Sequence, residues 1–399
     1  MKILLLNQCF YPDVVATAQQ LTDLAKGLAE RGHDVTVVSS DRGYDDPAIR
    51  YPRRETREGV RIMRLPWSSL GKRSMIVRLA GGLSFIVQAT LRALFTRRLG
   101  CVVVTTVPVM SPVAGAALAL TSRANVVYWI MDLNPDQLVA LGVVRKESLL
   151  VRALDWCNVA LLRRATAVIV CDEYMAERVR GKFDPGGRLH IATPWAHDQH
   201  LESVPHDANP FRLAHVAAGR RAVMYSGNHA LTNPLATLLD AAAQLADDPR
   251  LTFLFVGGGA GKKDVESRQL PNVMSLPYQA LDQLKYSLSA ADVHVVTIGA
   301  AVVGIVHPCK IYGAMAVGRA VLAFGPRQSH VADIVAQGIG WHLEHGDVEG
   351  AVATLRLIAD LPRETLDEMG ARGQTMVREK YDGRSSRSRV CDMIEASQR

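Results

Sequence analysis

None of the six cysteines (Cys9, Cys101, Cys157, Cys171, Cys309, Cys391) falls in a C-x-x-C pair, and they are scattered along the chain. This pattern excludes a disulfide framework and a zinc ribbon and suits a reducing compartment. No metal is expected. The apolar stretch 75–95 is interrupted by Arg78, Gln88 and Arg92, whereas a bilayer crossing needs about 20 residues with few or no charges. Basic residues are nowhere interleaved with aromatics, which sets nucleic acid aside. The net charge of +7 suits anionic ligands or a phospholipid surface. Met1-Lys2 leads straight into the short apolar run 3–6, where a signal peptide would need a longer one and a small-residue cleavage site. The run Gly257-Gly258-Gly259-Ala260-Gly261-Lys262 fits neither G-x-x-x-x-G-K-[ST] nor G-x-G-x-x-G. It reads as a turn that lets backbone approach a ligand or another loop. No short tandem repeat is visible.

What is present is a rhythm. The chain has 399 residues, 48% hydrophobic and 21% charged, which suits two globular domains. A buried strand (2–7) is followed by a loop and then a helix (17–31) with Leu21, Leu24, Ala25 and Leu28 on one face. Gly32 stops that helix, and a second strand (35–39) follows. Strand, loop, helix, glycine, strand is a βαβ unit, so the sheet is parallel with helices on both faces. The region 41–61 is a long polar excursion, and 60–65 reads as a strand. Further strands fall at 101–107, 125–130, 167–170 and 189–192. Residues 193–219, with Pro194, Pro205 and Pro210, break the rhythm and read as a linker. Strands resume at 222–225, 251–256, 273–276, 292–296 and 320–324. The stretch 75–95, flanked by Lys72, Arg73, Arg97 and Arg98, is either a helix packed on its own sheet or an amphipathic helix resting on an anionic membrane surface.

Two stretches carry polar groups at strand ends, where doubly wound sheets hold ligands. The first is His307-Pro308-Cys309-Lys310-Ile311-Tyr312-Gly313, read as a helix opened by Pro308 and stopped by Gly318. Lys310 in its first turn makes it a candidate anion site; the alternative is a core helix with a surface lysine. The second is Met131-Asp132-Leu133-Asn134-Pro135-Asp136. Asn134 before Pro135 fits an N-cap, which leaves Asp132 without a structural role.

Several stretches, in order and spacing, resemble the family 4 glycosyltransferases of the GT-B fold, in the bacterial branch that builds O-antigen, capsule and exopolysaccharide, including N-acetylfucosamine transferases. They are Asn7-Gln8 through Tyr11-Pro12 to Ala16-Thr17-Ala18, Arg31-Gly32-His33-Asp34, Tyr128-Trp129 through Asp132 to Asp136, Tyr225-Ser226-Gly227-Asn228, Phe255-Val256-Gly257-Gly258, Leu276-Pro277-Tyr278-Gln279, Ala290-Ala291-Asp292, and Pro308 through Val321. The resemblance implies an α/β protein of two doubly wound Rossmann-like domains facing across a cleft. An amino domain (1–200) would take the acceptor and a carboxyl domain (201–385) the nucleotide sugar, with a last helix (386–399) returning to the amino domain. It implies a retaining, metal-independent glycosyltransferase using a UDP-linked donor, with no further cofactor, and a glycan or polyprenyl-linked acceptor. Lys310, with the backbone at Cys309 and the loop Gly227-Asn228-His229, would hold the donor diphosphate, with Thr17 and Ala18 opposite. The backbone around Leu276, Pro277 and Tyr278 would read the base, and Gly258, Pro308, Tyr312 and Gly313 would complete the donor site. Asp132 would orient or deprotonate the acceptor hydroxyl. The protein would be cytoplasmic, with residues 72–98 touching the inner face of the membrane.

The chain departs from the family pattern in two places. Members often carry two glutamates with seven residues between them; Ile305 and Gly313 stand at those positions. The basic residues common after the first strand of the carboxyl domain are replaced by Asn228, His229 and Asn233. A GT-B nucleotide-sugar epimerase and a catalytically silent GT-B scaffold are the rival readings, the second supported only by the missing glutamates.

Overall fold

The computed structural model describes all residues except 14, 45, 72–74, 196–201 and 398–399, with the side chains of 75 and 76 also outside the description. The expected basic flank at Lys72 and Arg73, and a domain boundary at 200/201, therefore lie outside the described residues. The chain forms two compact units. One comprises Met1–Pro194, Gly304–His307 and Arg384–Arg399, and the other Trp195–Val303 and Pro308–Gly383.

In the amino unit the strands are β1 (Lys2–Leu6), β2 (Asp34–Ser40), β3 (Arg54–Arg57), β4 (Val60–Leu65), β5 (Cys101–Val104), β6 (Asn125–Trp129), β7 (Ala167–Val170) and β8 (Leu189–Ile191). They lie in the order β3-β4-β2-β1-β5-β6-β7-β8. All pairs are parallel except β3 with β4. Strands such as Cys-Val-Val-Val and Ala-Val-Ile-Val are buried along their whole length, as covering on both faces requires. The helices are α1 (Ala16–Glu30), α2 (Met75–Leu94), α3 (Ser111–Thr121), α4 (Asp136–Ala140), α5 (Leu149–Arg164) and α6 (Glu173–Lys182). Leu21, Leu24, Ala25 and Leu28 of α1 are fully buried; truncating one such leucine to alanine typically costs about 2–5 kcal/mol.

In the carboxyl unit the strands are β9 (Arg221–Ser226), β10 (Leu251–Val256), β11 (Val273–Leu276), β12 (Val293–Thr297), β13 (Ala320–Phe324) and β14 (Gly340–Leu343). They are all parallel, in the order β11-β10-β9-β12-β13-β14. Chain order reverses about β1 in one sheet and about β9 in the other, and loops leaving such switch points form ligand crevices. The remaining helices are α7 (Pro210–His215), α8 (Ala236–Gln244), α9 (Lys262–Ser267), α10 (Leu284–Ser289), α11 (Lys310–Ala316), α12 (His330–Val335), α13 (Val348–Asp360), α14 (Arg363–Lys380) and α15 (Gly383–Ala396). Phe253, Phe255 and Phe324 anchor a core beneath α8 and α13. Among the described residues no helix is long and apolar enough to cross a membrane.

Four details differ from expectation. The polar excursion contains β3, a hairpin partner for β4, whose Arg-Glu-Thr-Arg composition gives no apolar signal. The stretch read as a linker contains α7, capped by the Asn209 side chain accepting from Arg212 N–H at 3.1 Å. The helix expected to open at Pro308 begins at Lys310. Asn134 is not an N-cap, because Pro135 holds that position without a side-chain cap. Asn134 is instead buried, and its carbonyl accepts from the Asn158 amide.

Helix α15 packs on α1 within the amino unit. Arg31 Nη1 donates to Asp392 at 2.6 Å and to Glu395 at 2.8 Å. His33 Nε2 lies 2.6 Å from Glu395. A methyl group at Gly27 would sit 2.9 Å from Arg387 Cδ, so the glycine permits the close approach.

Candidate functional site

In the carboxyl unit the loop after β9 and the glycine run after β10 lock together. Gly227 N–H donates to Val256 O at 2.8 Å, His229 N–H to Gly258 O at 2.7 Å, and Gly261 N–H to His229 O at 2.8 Å. Gly227, Gly257 and Gly259 take φ of +120°, +135° and +127°. A Cβ on Gly257 would lie 2.0 Å from Gly227 O, and one on Gly259 would lie 2.3 Å from Asn228 Oδ1. The glycine run therefore approaches another loop, the second of the two roles open to it in the sequence.

Lys310 opens α11 and lies against this junction. A Cβ on Gly227 would be 2.7 Å from Lys310 Cε, so the lysine stem needs a glycine beside it. Its Nζ donates to Tyr225 Oη at 2.5 Å and to Asn228 O at 2.8 Å, and sits 4.6 Å from the centre of the Tyr225 ring. With its amide turned so that both ends are satisfied, Asn233 accepts from Nζ at 2.9 Å and donates to Thr297 O at 3.0 Å. Three acceptors match the three protons of an ammonium. Burial nonetheless pushes the Lys310 pKa down from 10.5 to about 7, because desolvation disfavours the charged form. An anion placed here would restore that charge.

Beside Lys310 is a cavity of about 190 Å³ lined by residues that include Ser226, Gly227, His294, Cys309 and Gly313. His294 is buried with Nε2 2.9 Å from Leu288 O, and burial lowers its pKa to about 4, leaving a neutral wall. Gly313, one of the two positions where glutamate is common, faces this cavity. Tyr278 is 60% exposed, and its ring edge would meet a Cβ on Gly258 at 3.0 Å. Pro277 beside it is exposed. The Leu276 carbonyl already accepts from Gly257 N–H at 2.9 Å and from Lys262 Nζ at 2.9 Å. Two proposed donor residues have buried side chains. Tyr312 is in the core with Oη 2.8 Å from His330 Nε2. His229 is fully buried with Nδ1 3.3 Å from Gly258 O. Pro308 is buried at the start of the α11 turn.

The structure thus gathers Gly227, Asn228, His229, Gly258, Leu276, Tyr278, Cys309, Lys310 and Gly313. Tyr225, Asn233 and Lys262, which organise the cluster, were not assigned these roles from sequence. Tyr225 and Lys262 lie in stretches singled out from sequence, but nothing there marks their side chains as partners of these loops; Asn233 was noticed only as a replacement for a basic residue.

Thr17, Ala18 and Asp132 belong to the amino unit. Ala18 is fully buried at the start of α1, and Thr17 Oγ1 lies 3.4 Å from Cys9 Sγ. Asp132 is partly exposed; its N–H donates to Thr106 Oγ1 at 3.3 Å. It forms an antiparallel bridge with Val306, and the next residue, Leu133, donates its N–H to Ile305 O at 2.7 Å. Burial pushes the Asp132 carboxyl from 3.8 up to about 6, with the charge of His307 pulling the other way. His307 Nδ1 lies 2.6 Å from Asp172 Oδ2. Sequence reading gave neither His307 nor Asp172 a role. Asp172 has no local signal beyond that of a helix cap, which it also is, accepting from Met175 N–H at 2.8 Å.

Comparison with known proteins agrees with this architecture. Residues 16–195 match the glycosyl transferase 4-like domain, and residues 220–360 match the glycosyl transferases group 1 family. The chain is 26% identical over 386 residues to the putative colanic acid biosynthesis glycosyl transferase WcaI of Escherichia coli, covering 91% of this chain and 93% of that one. It is 26% identical over 261 residues to the probable glycosyltransferase WbjE of Pseudomonas aeruginosa, covering 63% of this chain and 64% of that protein, just under two thirds of its length. Sucrose-phosphate synthase from Thermosynechococcus elongatus superposes with a TM-score of 0.79 at 18% identity, covering 99% of this chain and 98% of that one. Anabaena HepE, solved with UDP and glucose, superposes with a TM-score of 0.71 at 16% identity, covering 99% and 100%. With its amino half matching the glycosyl transferase 4-like domain and its carboxyl half the group 1 domain, the chain belongs to the GT-B-fold glycosyltransferases.

Proposed function

We propose that this chain moves a hexosyl or N-acetylhexosaminyl group from a UDP-sugar to a glycan or polyprenyl-linked acceptor in the building of a bacterial surface polysaccharide. Transfer proceeds with retention and without a metal. The carrying observation is the Lys310 ammonium, held by Tyr225, Asn228 and Asn233 beside a cavity that Gly227, Cys309 and Gly313 also line. A departing nucleoside diphosphate gains negative charge as the glycosidic bond breaks, and a fixed cation stabilises that charge more in the transition state than in the ground state. The carboxyl unit is the donor side, with the exposed Tyr278 and the nearby backbone for the base. The amino unit is the acceptor side, where Asp132, a carboxylate made more basic by burial, orients or takes the proton of the attacking hydroxyl. Retention needs no protein nucleophile when hydroxyl and leaving phosphate meet on one face of the sugar. Support for uridine comes from HepE, solved with UDP and with UDP-glucose; support for a surface polysaccharide comes from the colanic acid assignment of WcaI.

The test is a melting series with UDP, ADP, GDP and CMP. Saturating UDP at a hundred times its Kd stabilises the folded state by about 2.7 kcal/mol, a rise of roughly 5–10 °C for units of this size. No shift with any nucleotide would favour the silent scaffold, and a larger shift with another base would remove uridine. Incubation with UDP-N-acetylhexosamines alone separates transfer from epimerisation, since only an epimerase interconverts them without acceptor.

The membrane part of the reading rests on α2. Phe85, Ile86, Ala89 and Ala93 face inward, while Leu83, Val87, Leu91, Leu94 and Phe95 are exposed, Phe95 by 79%. Residues 77–98 include four arginines (Arg78, Arg92, Arg97, Arg98) and no acid. An apolar stripe with a basic border suits the inner face of an anionic membrane. Leu83→Asp with Leu91→Asp should abolish sedimentation with phosphatidylglycerol vesicles and leave UDP binding intact; unchanged sedimentation would remove the contact.

A further inference from the structure

A four-residue strap, Gly304–His307, belongs to the amino unit although the chain on either side of it belongs to the other. It is fastened to the loop after β6 by the Asp132–Val306 bridge and by Leu133 N–H on Ile305 O at 2.7 Å. It starts at Gly304, with φ +71°, where a Cβ would lie 2.4 Å from Tyr174 O. Only glycine fits so close to α6. The strap ends at His307, clamped to Asp172 at 2.6 Å, with the two side chains only 2% and 4% exposed. The other oxygen of that carboxylate accepts from Met175 N–H at 2.8 Å, so its position is set by the N-terminus of α6. A carboxylate only accepts hydrogen bonds, so Nδ1 of His307 bears the proton and the orientation of the ring is fixed.

A strap needs no histidine for its backbone bonds, and burying a pair of ionisable groups is costly. We propose that His307, oriented by Asp172, is a positioning residue for Asp132: it anchors the strap whose backbone bonds fix the loop that carries the carboxyl. This deepens the reading of Asp132 as the acceptor-side group and rests on it. Two influences act on Asp132, burial raising its pKa to about 6 and His307 opposing the rise. A carboxylate near that value is more basic than an ordinary one and still mostly ionised at neutral pH, as a general base requires. The other titratable or charged groups at the junction are Cys171, whose Sγ lies 3.4 Å from Ile130 O, and Arg178, whose Cγ would be 3.0 Å from a Cβ on Gly304. Asp136 is paired with Lys182 at 2.9 Å.

The experiment uses the full chain labelled with [γ-¹³C]aspartate, the Asp132 resonance being assigned with Asp132→Asn. The expected midpoint is about 6; it should shift in His307→Leu, which has no donor toward Asp172 and frees the strap, and return toward the wild-type value in His307→Gln, which keeps a donor. Asp172→Asn turns an amide donor toward the ring, so the imidazole ¹⁵N spectrum should show the opposite tautomer and the Asp132 midpoint should move. An Asp132 midpoint that is the same in wild type and His307→Leu overturns the proposal, as does an ordinary carboxylate midpoint in the wild type. If His307→Leu does not fold, an unchanged midpoint in Asp172→Asn overturns it equally. These measurements need neither donor nor acceptor. Failure to bind UDP would therefore count against glycosyl transfer and leave the dyad standing, while an unmoved midpoint beside normal UDP binding would do the reverse.

Discussion

Replacing Lys310 by methionine removes one charge and keeps most of the stem that packs beside Gly227. A charge-assisted hydrogen bond contributes about 1.5–3 kcal/mol, and about 1.36 kcal/mol is a factor of ten, so UDP should bind Lys310→Met roughly 10- to 150-fold more weakly. Structural loss should be small. Tyr225 Oη, which loses Nζ, still donates to Asn228 O at 2.8 Å, so the stability change should stay within about 1.5 kcal/mol. The pH dependence adds a second signature. In the free protein Lys310 is lowered to about 7, while a diphosphate beside it favours the ammonium. UDP binding therefore takes up a proton above pH 7, and affinity falls by up to about tenfold per pH unit there. Titration calorimetry in two buffers of different ionisation enthalpy counts that proton. The sign for folding is the opposite of that for a salt-bridged lysine. Between pH 7 and 10.5 the unfolded chain holds the proton and the folded chain has released it, so the Lys310 contribution to stability rises with pH across that window. Wild-type UDP affinity in Lys310→Met, or a flat affinity from pH 6 to 9, would refute the reasoning.

Gly257→Ala should destabilise the carboxyl unit more than Gly227→Ala, because its methyl meets a backbone oxygen at 2.0 Å rather than the flexible Lys310 stem at 2.7 Å; urea unfolding gives the order, each unfolding free energy being lower by at least about 1 kcal/mol. Gly227→Ala should also displace Lys310 and lose UDP affinity, which calorimetry reads directly. Gly27→Val should loosen α15 from α1 through the 2.9 Å clash with Arg387, seen as faster amide exchange over 384–396 with little change in β10.

Much of the architecture was legible because parallel strands buried on both faces leave continuous apolar runs and glycine stops between them. The strand 320–324 was read to its ends, since Gly318 and Gly325 bracket a fully apolar run. β3 was not legible, because an edge strand of Arg-Glu-Thr-Arg is specified by its partner β4 rather than by its own apolar residues. Lys310 could be singled out from its place after a strand and before a glycine stop. That it would be held by Tyr225 and Asn233 could not, because those contacts join residues 85 and 77 positions away. Nor could the alternative of a surface lysine on a core helix anticipate the bonds that hold Nζ. The same limit hid His307 and Asp172, which are 135 positions apart.

The two positions that depart from the family's glutamates have opposite surroundings, and this separates them experimentally. Ile305 is 4% exposed and its carbonyl holds the Asp132 loop. A carboxylate there would be buried beside groups already paired, and an unpaired buried charge costs several kcal/mol. Gly313 is buried in α11 and lines the cavity beside Lys310, so that cavity is the space a side chain added there would use. Ile305→Glu should therefore lower the unfolding free energy measured in urea by several kcal/mol and disturb the strap. Gly313→Glu should stay within about 1.5 kcal/mol of wild type. If that cavity takes the nucleoside, a glutamate at 313 can accept from ribose hydroxyls, each charge-assisted bond contributing about 1.5–3 kcal/mol. Uridine without phosphates should then bind Gly313→Glu at least about tenfold more tightly than wild type. Uridine is the right probe because it does not engage Lys310 through phosphate, so the new carboxylate cannot be confused with competition for the diphosphate. Folded Gly313→Glu with unchanged uridine affinity would place the ribose elsewhere, and a Gly313→Glu chain as unstable as Ile305→Glu would show that the cavity wall is core.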